Sequence, residues 1–275
     1  MKELSVIIPA FNEEAGISDV LGRLEEVLMG KFKYEVIVVD DGSSDKTGEV
    51  AKMAGVKVVR NPANAGYGRS LKRGIEAATH EYVAITDADG TYPLNRIPDL
   101  VEKLDQGFDM AVGARTGKHY WAGLFLNPAR LVFKWLSEFV VGRRIPDVNS
   151  GLRVFRRSKV MPFFNDLSNR FSFTTSLTLI FILKGYFVCY LPIEYHARKG
   201  KSKVSYIHDA MRTLQIIFTI IAKYNPFKLF FAASLPILAA TIVFLVFQLW
   251  LYAMISLYFV ILLLLLGFFS AIFSK

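Results

Sequence analysis

Two aspartates spaced two residues apart, Asp87 and Asp89, are the residues of this sequence best suited to chemistry. They follow a short apolar segment at residues 82–85, which is typical of a buried strand. Gly90 and Pro93 end that strand, and side chains at positions i and i+2 of an extended segment point to the same side. Two such carboxylates can bind Mg²⁺ or Mn²⁺ against a substrate's phosphates, although Asp also favours plain acidic turns.

Polar or charged residues follow four of the strands that the sequence predicts. Strand-like apolar segments alternate with amphipathic helical segments over residues 4–113, a pattern typical of a doubly wound, mostly parallel α/β sheet. Ligands in such sheets bind outside the carboxyl ends of the strands. We therefore expect a site where these ends meet. The residues that fall there are 9–13, Asp40 and Asp41, Asp87 and Asp89, and Arg115.

Charge divides the sequence into an acidic and a basic part. Residues 1–110 carry 13 Lys/Arg and 19 Asp/Glu, whereas residues 111–275 carry 20 and 5. The first part suits a metal site, and the second suits the binding of anions or of an anionic lipid surface. Nucleic acid is the usual partner of a basic protein, but we do not expect it here, because the basic residues lead directly into apolar segments.

A long uncharged segment predicts two membrane spans. Residues 229–274 contain no Asp, Glu, Lys, Arg or His, and one span needs about 20 apolar residues. We predict spans at 227–247 and 257–273, joined by a turn at 248–256. Basic residues flank the two spans and predict that both chain ends lie in the cytoplasm, together with the N-terminal domain. These residues are Lys223, Lys228 and Lys275.

The sequence predicts three parts: an α/β domain over residues 1–205, an interfacial amphipathic helix over 206–226 and two transmembrane helices over 227–275. In the second part, bulky apolar side chains alternate with basic residues such as Arg212, as in helices that lie in the headgroup region of a membrane. Residues 121–141 show the same pattern. They are compatible with a second interfacial helix or with a helix that packs on the core.

Three motifs together resemble family 2 of the inverting nucleotide-sugar glycosyltransferases: residues 38–47, the Asn64-x-Gly66-x-Gly68 loop and Asp87-x-Asp89-Gly90. The resemblance covers about residues 4–210 and implies the GT-A fold. It implies that the Asp-x-Asp pair binds the diphosphate of a UDP- or GDP-sugar through a divalent ion. It also implies that the first strand and the acidic turn hold the base and ribose. The residues in question are Pro9, Phe11, Glu13, Asp40 and Asp41.

The C-terminal half indicates which group accepts the sugar. Members of this family that glycosylate a hydroxyl usually carry a Glu-Asp pair that supplies a base, but residues 169–193 contain no Asp or Glu. A phosphate acceptor is already anionic and needs no base; it needs cations that position it and offset repulsion from the donor. Processive polysaccharide synthases are disfavoured, because no Arg-Trp pair occurs in the sequence.

Residues 147–153 and 198–203 are similar to the polyprenyl-phosphate glycosyltransferases, which include dolichyl-phosphate mannose synthases and undecaprenyl-phosphate sugar transferases. That similarity implies lipid-phosphate contacts from Arg115, Arg130 and Arg198. Many relatives have Ser four residues after the Arg130 position, whereas this sequence has a lysine that could act as a point charge. The further predicted phosphate contacts are Lys134, Arg153 and Lys203.

These patterns together predict a membrane-bound transferase that moves a hexose to a dolichyl or undecaprenyl phosphate with inversion. We expect Asp89 and Arg115 to take part in catalysis, with Asp147 as a base or as a residue that orients an arginine. Two alternatives stay open: a transferase to a lipid hydroxyl, such as diacylglycerol or ceramide, and a non-catalytic nucleotide-sugar-binding membrane protein. Relatives with two spans suggest a homotetramer by analogy.

Overall fold

A computed structural model of the protein describes the backbone of residues 1–117, 128–196 and 206–273, and the side chains of residues 1–117, 131–196 and 211–272. Packing divides the chain into two compact units, Met1–Leu214 and Gln215–Lys275. The domain borders predicted after residues 205 and 226 stay predictions.

The first unit is built on a seven-stranded sheet. The strands are β1 Lys2–Ala10, β2 Phe32–Asp40, β3 Lys57–Arg60, β4 Tyr82–Ile85, β5 Met110–Thr116, β6 Arg153–Arg156 and β7 Val188–Glu194. Their order in the sheet is β3-β2-β1-β4-β6-β5-β7. All pairs are parallel except those that β6 makes with β4 and β5. The predicted α/β fold with a mostly parallel sheet is therefore confirmed.

Helices cover the sheet and continue beyond it. In the first unit they are α1 Glu14–Leu28, α2 Thr47–Met53, α3 Tyr67–Ala77, α4 Ile97–Asp105, α5 Pro128–Val141, α6 Arg157–Val160 and α7 Phe173–Leu183, with 3₁₀ turns at Leu94–Arg96 and Met161–Asp166. Helix α8, Tyr206–Tyr224, crosses the border between the units, and α9 Pro226–Val246 and α10 Trp250–Phe273 follow.

The pattern of apolar residues determines which side chains form the hydrophobic core. Strand β2 ends in five consecutive buried residues, as expected of a strand covered on both faces. Helix α1 buries one stripe of side chains against the sheet: Ile17, Val20, Leu21, Leu24 and Leu28. Ala10 pairs with Asp40, and Ile7 pairs with Ile85. Strands β1, β2 and β4 therefore end at one edge of the sheet, which we call the carboxyl edge.

Two strands, β6 and β7, are absent from the sequence-based prediction. Strand β6 is only four residues long and has an arginine at each end, with Val154 and Phe155 between them. Strand β7 contains Pro192, which weakens a strand pattern. It lies at the edge of the sheet, where a proline is tolerated because no neighbour needs its missing N–H.

The second unit contains two helices that are long and apolar enough to cross a membrane, Pro226–Val246 and Trp250–Ile272. Only residues 247–249 separate them, so the turn predicted at 248–256 is wrong; no glycine or proline follows Gln248 to delay the second helix. The two helices pack closely, since a Cβ atom at Gly267 would lie 2.8 Å from Phe230 Cβ. Thr241 Oγ1 and Ser256 Oγ are hydrogen-bonded at 2.8 Å.

Candidate active site

A cavity of about 340 Å³ lies at the carboxyl edge of the first unit. Its walls come from the end of β1, the turns after β2 and β4, the start of α3, the segment before α7, and Arg212 of α8. It brings together six residues that the sequence predicts for the donor site: Pro9, Phe11, Glu13, Asp41, Asp87 and Asp89.

The carboxylates of Asp87 and Asp89 are held in place by neighbouring groups. Thr91 donates two hydrogen bonds to Asp89 Oδ1, from its backbone N–H at 3.1 Å and from Oγ1 at 2.7 Å. The Tyr67 hydroxyl donates to Asp87 Oδ1 at 2.9 Å. On its other side, Asp87 lies so close to Gly151 that a Cβ atom there would be 2.9 Å from Oδ2. Both carboxylates are thus oriented before any ligand binds.

The donor set at this point fits a hard divalent cation. Aspartate oxygens are the ligands that Mg²⁺ and Mn²⁺ prefer, and both ions often keep open positions for water and substrate phosphates. In the part of the chain that the structure describes, no group of three or more His, Cys, Asp or Glu side chains could hold a metal ion.

The turn after β1 is tied to the turn after β2. Asn12 has a positive φ of 52°, and its backbone N–H donates to Ser43 Oγ at 3.0 Å, while its Oδ1 accepts from the Ser44 N–H at 2.9 Å. The next residue, Glu13, donates its backbone N–H to Thr47 Oγ1 at 2.8 Å. These bonds fix Phe11 and Glu13 at the wall of the cavity.

Asp41 holds the loop that precedes α3. Its Oδ1 accepts hydrogen bonds from Asn61 Nδ2 at 2.6 Å and from the Ala65 N–H at 2.9 Å, and its Oδ2 accepts from the Gly66 N–H at 2.9 Å. The residue is 4% exposed and lines the cavity. Asp41 therefore shapes the wall of the cavity through the backbone that it binds.

Asp40 has a different position, although it is the neighbour of Asp41. It is fully buried, accepts the Ser43 N–H at 2.9 Å and pairs with Arg60 at 3.3 Å. It is not among the residues that line the cavity. This placement does not support the predicted contact of Asp40 with a nucleotide; its contacts stabilise the turn between β2 and α2.

The start of α3 packs against residues 168–171, which we call the 168–171 segment. A Cβ atom at position 68 would overlap with the Ser168 carbonyl oxygen, so Gly68 is needed for this close approach. The Arg69 N–H donates to the Asn169 carbonyl oxygen at 3.0 Å. The rings of Tyr67 and Phe171 stack with their centroids 5.6 Å apart. The glycine-containing motif thus joins two parts of the chain.

This junction brings to the cavity residues that sequence reasoning missed. Tyr67, Arg170 and Phe171 all line it, as does Arg212. The only sequence signal for Tyr67 is its place inside the Asn64-x-Gly66-x-Gly68 motif. Arg170 lies in residues 169–193, which contain no Asp or Glu; no local pattern of the sequence marks it as a cavity residue.

Arg115 and Asp147 form a buried ion pair. Arg115 Nε and Nη2 donate to the two carboxylate oxygens at 2.7 and 2.9 Å, and the Arg115 backbone N–H adds a third bond at 3.1 Å. The guanidinium also lies 5.4 Å from the centre of the Tyr195 ring. Burial favours a raised pKa for Asp147, but the Arg115 charge and these hydrogen bonds outweigh burial, so the pKa lies below its usual value.

This pair bears on the two roles that the sequence left open for Asp147. A carboxylate with a lowered pKa is a weak general base near neutral pH, and both of its oxygens are occupied by Arg115. The geometry therefore favours orientation of Arg115 over proton transfer. Neither residue is among those that line the cavity.

Arg153 and Lys134 are also engaged with protein groups. Arg153 is fully buried, and its guanidinium donates to the Ser150 and Thr174 carbonyl oxygens and to Thr178 Oγ1, the last at 2.9 Å. Lys134 contacts Glu138 at 3.0 Å and donates to the Ile145 carbonyl oxygen. These placements do not support the predicted lipid-phosphate contacts of either residue.

The remaining predicted phosphate contacts lie where the structure describes no side chain. Arg130 belongs to the first turn of α5, of which the backbone alone is described. Arg198 and Lys203 lie outside the described residues.

A mostly parallel sheet with two oriented aspartates at its carboxyl edge defines a GT-A-like glycosyltransferase fold. The chain belongs to glycosyl transferase family 2, whose model matches residues 5–164. It is similar to dolichyl-phosphate hexose transferase of Haloferax volcanii, with 29% identity over 74% of this chain and 86% of that protein. It is also similar to undecaprenyl-phosphate 4-deoxy-4-formamido-L-arabinose transferase of Klebsiella pneumoniae, with 28% identity over 80% of this chain and 67% of that protein.

A solved structure supports the fold. Glucosyl-3-phosphoglycerate synthase from Mycobacterium tuberculosis, in complex with Mn²⁺, UDP and glucosyl-3-phosphoglycerate, superposes with a TM-score of 0.65 and 20% identity over 80% of each chain. At this identity the likeness concerns the fold alone.

Proposed function

We propose that the protein transfers a hexose from a UDP- or GDP-sugar to a polyprenyl phosphate, with inversion at the anomeric carbon. The observation that carries the proposal is the pair of oriented carboxylates, Asp87 and Asp89, in a cavity that also contains two arginines. The names of the two relatives, both polyprenyl-phosphate sugar transferases, support this class of acceptor.

The donor would occupy the part of the cavity next to strands β1, β2 and β4. Pro9, Phe11 and Glu13 would contact the base and ribose, beside the loop that Asp41 holds. Asp87 and Asp89 would hold Mg²⁺ or Mn²⁺, as the solved GT-A relative with Mn²⁺ and UDP suggests by analogy. Bound there, the ion would supply charge stabilisation for the diphosphate leaving group.

The acceptor phosphate would attack the anomeric carbon in line, opposite the diphosphate. It needs no proton removed, because a phosphomonoester is anionic at neutral pH. The chain's task is then to orient it and to offset its repulsion from the donor. Arg130, Arg198 and Lys203 remain our proposed contacts from the sequence motifs, whereas Arg115 would act from its pair with Asp147.

A membrane position follows from the same proposal. Helices α9 and α10 would span the bilayer, and α8 would lie at its surface, where the phosphate of the acceptor lies. The basic residues beside the spans favour a cytoplasmic active site, where nucleotide sugars are made. A homotetramer is our proposal by analogy with relatives that have two spans.

The test is transfer of radiolabelled sugar from a panel of UDP- and GDP-sugars to a membrane lipid extract, with Mn²⁺ or with EDTA. We expect a metal-dependent, organic-soluble product that mild acid cleaves, as a polyprenyl sugar phosphate does. A metal-dependent product that survives mild acid would mean a hydroxyl acceptor, such as diacylglycerol or ceramide. Binding of a nucleotide sugar without turnover on any donor would favour the non-catalytic alternative.

A further inference from the structure

The cavity contains two arginines that no motif singled out as ligands, Arg170 and Arg212. Asp87 and Asp89 line the same cavity, so a substrate that fills it would meet both the carboxylates and these cations. Many other arginines among the described residues of this unit are engaged with protein oxygens, as Arg115 and Arg153 are. Arg170 and Arg212 differ from these arginines in lining the cavity.

Neither arginine is neutralised by a neighbour that the structure describes. Among the described side chains, no Asp or Glu lies within ion-pair distance of Arg170 or Arg212, and both residues are exposed. In a cavity lined by carboxylates, an unpaired guanidinium is available to bind an anion and can do so with two parallel hydrogen bonds.

Contacts with α3 fix the position of Arg170. The 168–171 segment is fixed to α3 by the Arg69–Asn169 hydrogen bond at 3.0 Å and by the stacked rings of Tyr67 and Phe171. The guanidinium lies against Gly66, where a Cβ atom would come within 3.0 Å of Arg170 Nη1. Gly66 is itself held by Asp41 at 2.9 Å, so a chain of contacts links Arg170 to the donor side of the cavity.

The charges in the cavity favour the acceptor over the donor as the partner of these arginines. A divalent ion at Asp87 and Asp89 would offset the charge of the donor diphosphate. A second phosphate would still be repelled by that diphosphate unless other cations faced it. Arg212 belongs to α8, whose exposed Met211 fits a position near lipid. An anion held there would lie at the level of lipid headgroups.

We propose that Arg170 and Arg212 bind the phosphate group of the acceptor lipid, and that Arg170 sets its position relative to the metal carboxylates. This inference rests on the proposed function, because it assigns residues to the acceptor of that reaction. It adds to the predicted basic residues two cations that lie in the described cavity itself.

Kinetics of the full-length protein in nanodiscs test the assignment. Arg170→Ala should raise KM for undecaprenyl phosphate about 10- to 100-fold, the loss expected for a charge-assisted hydrogen bond, and should change KM for the donor less than twofold. Arg212→Ala should act in the same direction. Arg170→Lys should recover part of the loss, because lysine keeps the charge but not the planar fork. Arg96→Ala is the matched control, since Arg96 pairs with Asp99 on the surface.

Two kinetic outcomes would overturn the proposal. An unchanged acceptor KM in both alanine variants would remove these arginines from the acceptor site. An equal rise in donor KM would assign them to the donor diphosphate instead. Retained Mn²⁺-dependent binding of UDP or GDP, measured by calorimetry, shows that each variant is folded.

A binding experiment separates this inference from the proposed function. Wild-type protein should bind farnesyl phosphate more tightly than farnesol, and the Arg170→Ala/Arg212→Ala double variant should lose that preference. If the preference survives in the double variant, the assignment of the arginines is wrong even where lipid transfer occurs. If the preference depends on the arginines but the transfer product resists mild acid, the phosphate site stands and the proposed acceptor is wrong.

Discussion

The two walls of the cavity are built in opposite ways. On the wall after β2 and β4, each carboxylate is held: Asp41 accepts three hydrogen bonds, Asp89 accepts two from Thr91 and Asp87 accepts one from Tyr67. On the wall that the 168–171 segment contributes, Arg170 has a fixed backbone but no described carboxylate partner. Oriented carboxylates strengthen the binding of an ion. A cation that has no carboxylate partner among the described residues can instead bind an anionic substrate that enters and leaves.

The largest effect should come from the carboxylate wall. Asp89→Asn keeps the shape of the side chain but removes the charge that would bind the ion, so we expect turnover to fall at least about 10³-fold, or about 4 kcal/mol. EDTA should have the same effect on the wild type. Asp99→Asn, a surface change, is the control and should retain activity. Substantial turnover by Asp89→Asn with unchanged Mn²⁺ dependence would exclude the metal assignment.

The buried pair of Arg115 and Asp147 should have the next largest effect, and on stability. Asp147→Asn leaves a buried guanidinium without its counter-charge, which typically costs about 3 kcal/mol. The melting temperature in detergent measures this loss, with Asp99→Asn again as the surface control. A wild-type melting temperature in that variant would mean that the pair does not support the fold.

The same pair has a defined pH dependence. The pKa of Asp147 is lower in the folded protein than its ordinary value, so its stabilisation is complete above that ordinary value, near 4. It is lost only as the pH falls further, through the folded-state pKa. The stability difference between wild type and Asp147→Asn should therefore be constant from pH 5 to pH 8 and shrink below about pH 4. A difference that shrinks already near pH 6 would contradict this assignment.

Contact between the two walls can be broken at one glycine. Gly68→Ala would place a methyl group on the Ser168 carbonyl oxygen and push the 168–171 segment away, at a cost of about 2 kcal/mol. Acceptor use should suffer more than donor binding. Gly22→Ala in α1 is the control, because a Cβ atom there meets nothing within 4 Å and alanine favours a helix. Equal behaviour of the two variants would show that the walls are independent.

The smallest effect should follow from loss of one hydrogen bond within the carboxylate wall. Tyr67→Phe removes one hydrogen-bond donor to Asp87 but keeps the stacked ring beside Phe171. We expect the free energy of Mn²⁺ binding to weaken by about 1 kcal/mol, which corresponds to roughly fivefold weaker activation by Mn²⁺. The Mn²⁺ concentration that gives half-maximal activity measures it. An unchanged value would mean that Asp87 is oriented by other contacts.

Sequence reasoning went furthest where residues act within one short motif. The strand before Asp87, its glycine and proline, and the two-residue spacing are all local, and so was the acidic turn that contains Asp41. Asp40 shows the limit. Adjacent residues at the end of a strand point to different sides, and the sequence alone does not reveal which of the two carboxylates faces the cavity.

Long-range contacts explain the rest of what the sequence could not predict. Tyr67 and Phe171 stack across more than 100 positions of sequence, and no local pattern reports such a pair. The sequence predicted that Arg153 contacts a lipid phosphate, but carbonyl and hydroxyl oxygens from α7 and the loop before β6 bind its guanidinium and allow its burial. Strands β6 and β7 are short or interrupted, so that only pairing with their neighbours defines them.

The reversed direction of β6 determines where its connection to β5 begins and ends. Strand β5 ends at the carboxyl edge, and because β6 runs the other way, it begins at that same edge. Residues 117 and 152, the two ends of the connection, therefore both lie at this edge, and Gly151 contacts Asp87. Insertions in this connection would change the surroundings of Asp87 while strands β1, β2 and β4 keep their pairing. Asp147 is the part of the connection that is constrained, because it pairs with Arg115 of β5.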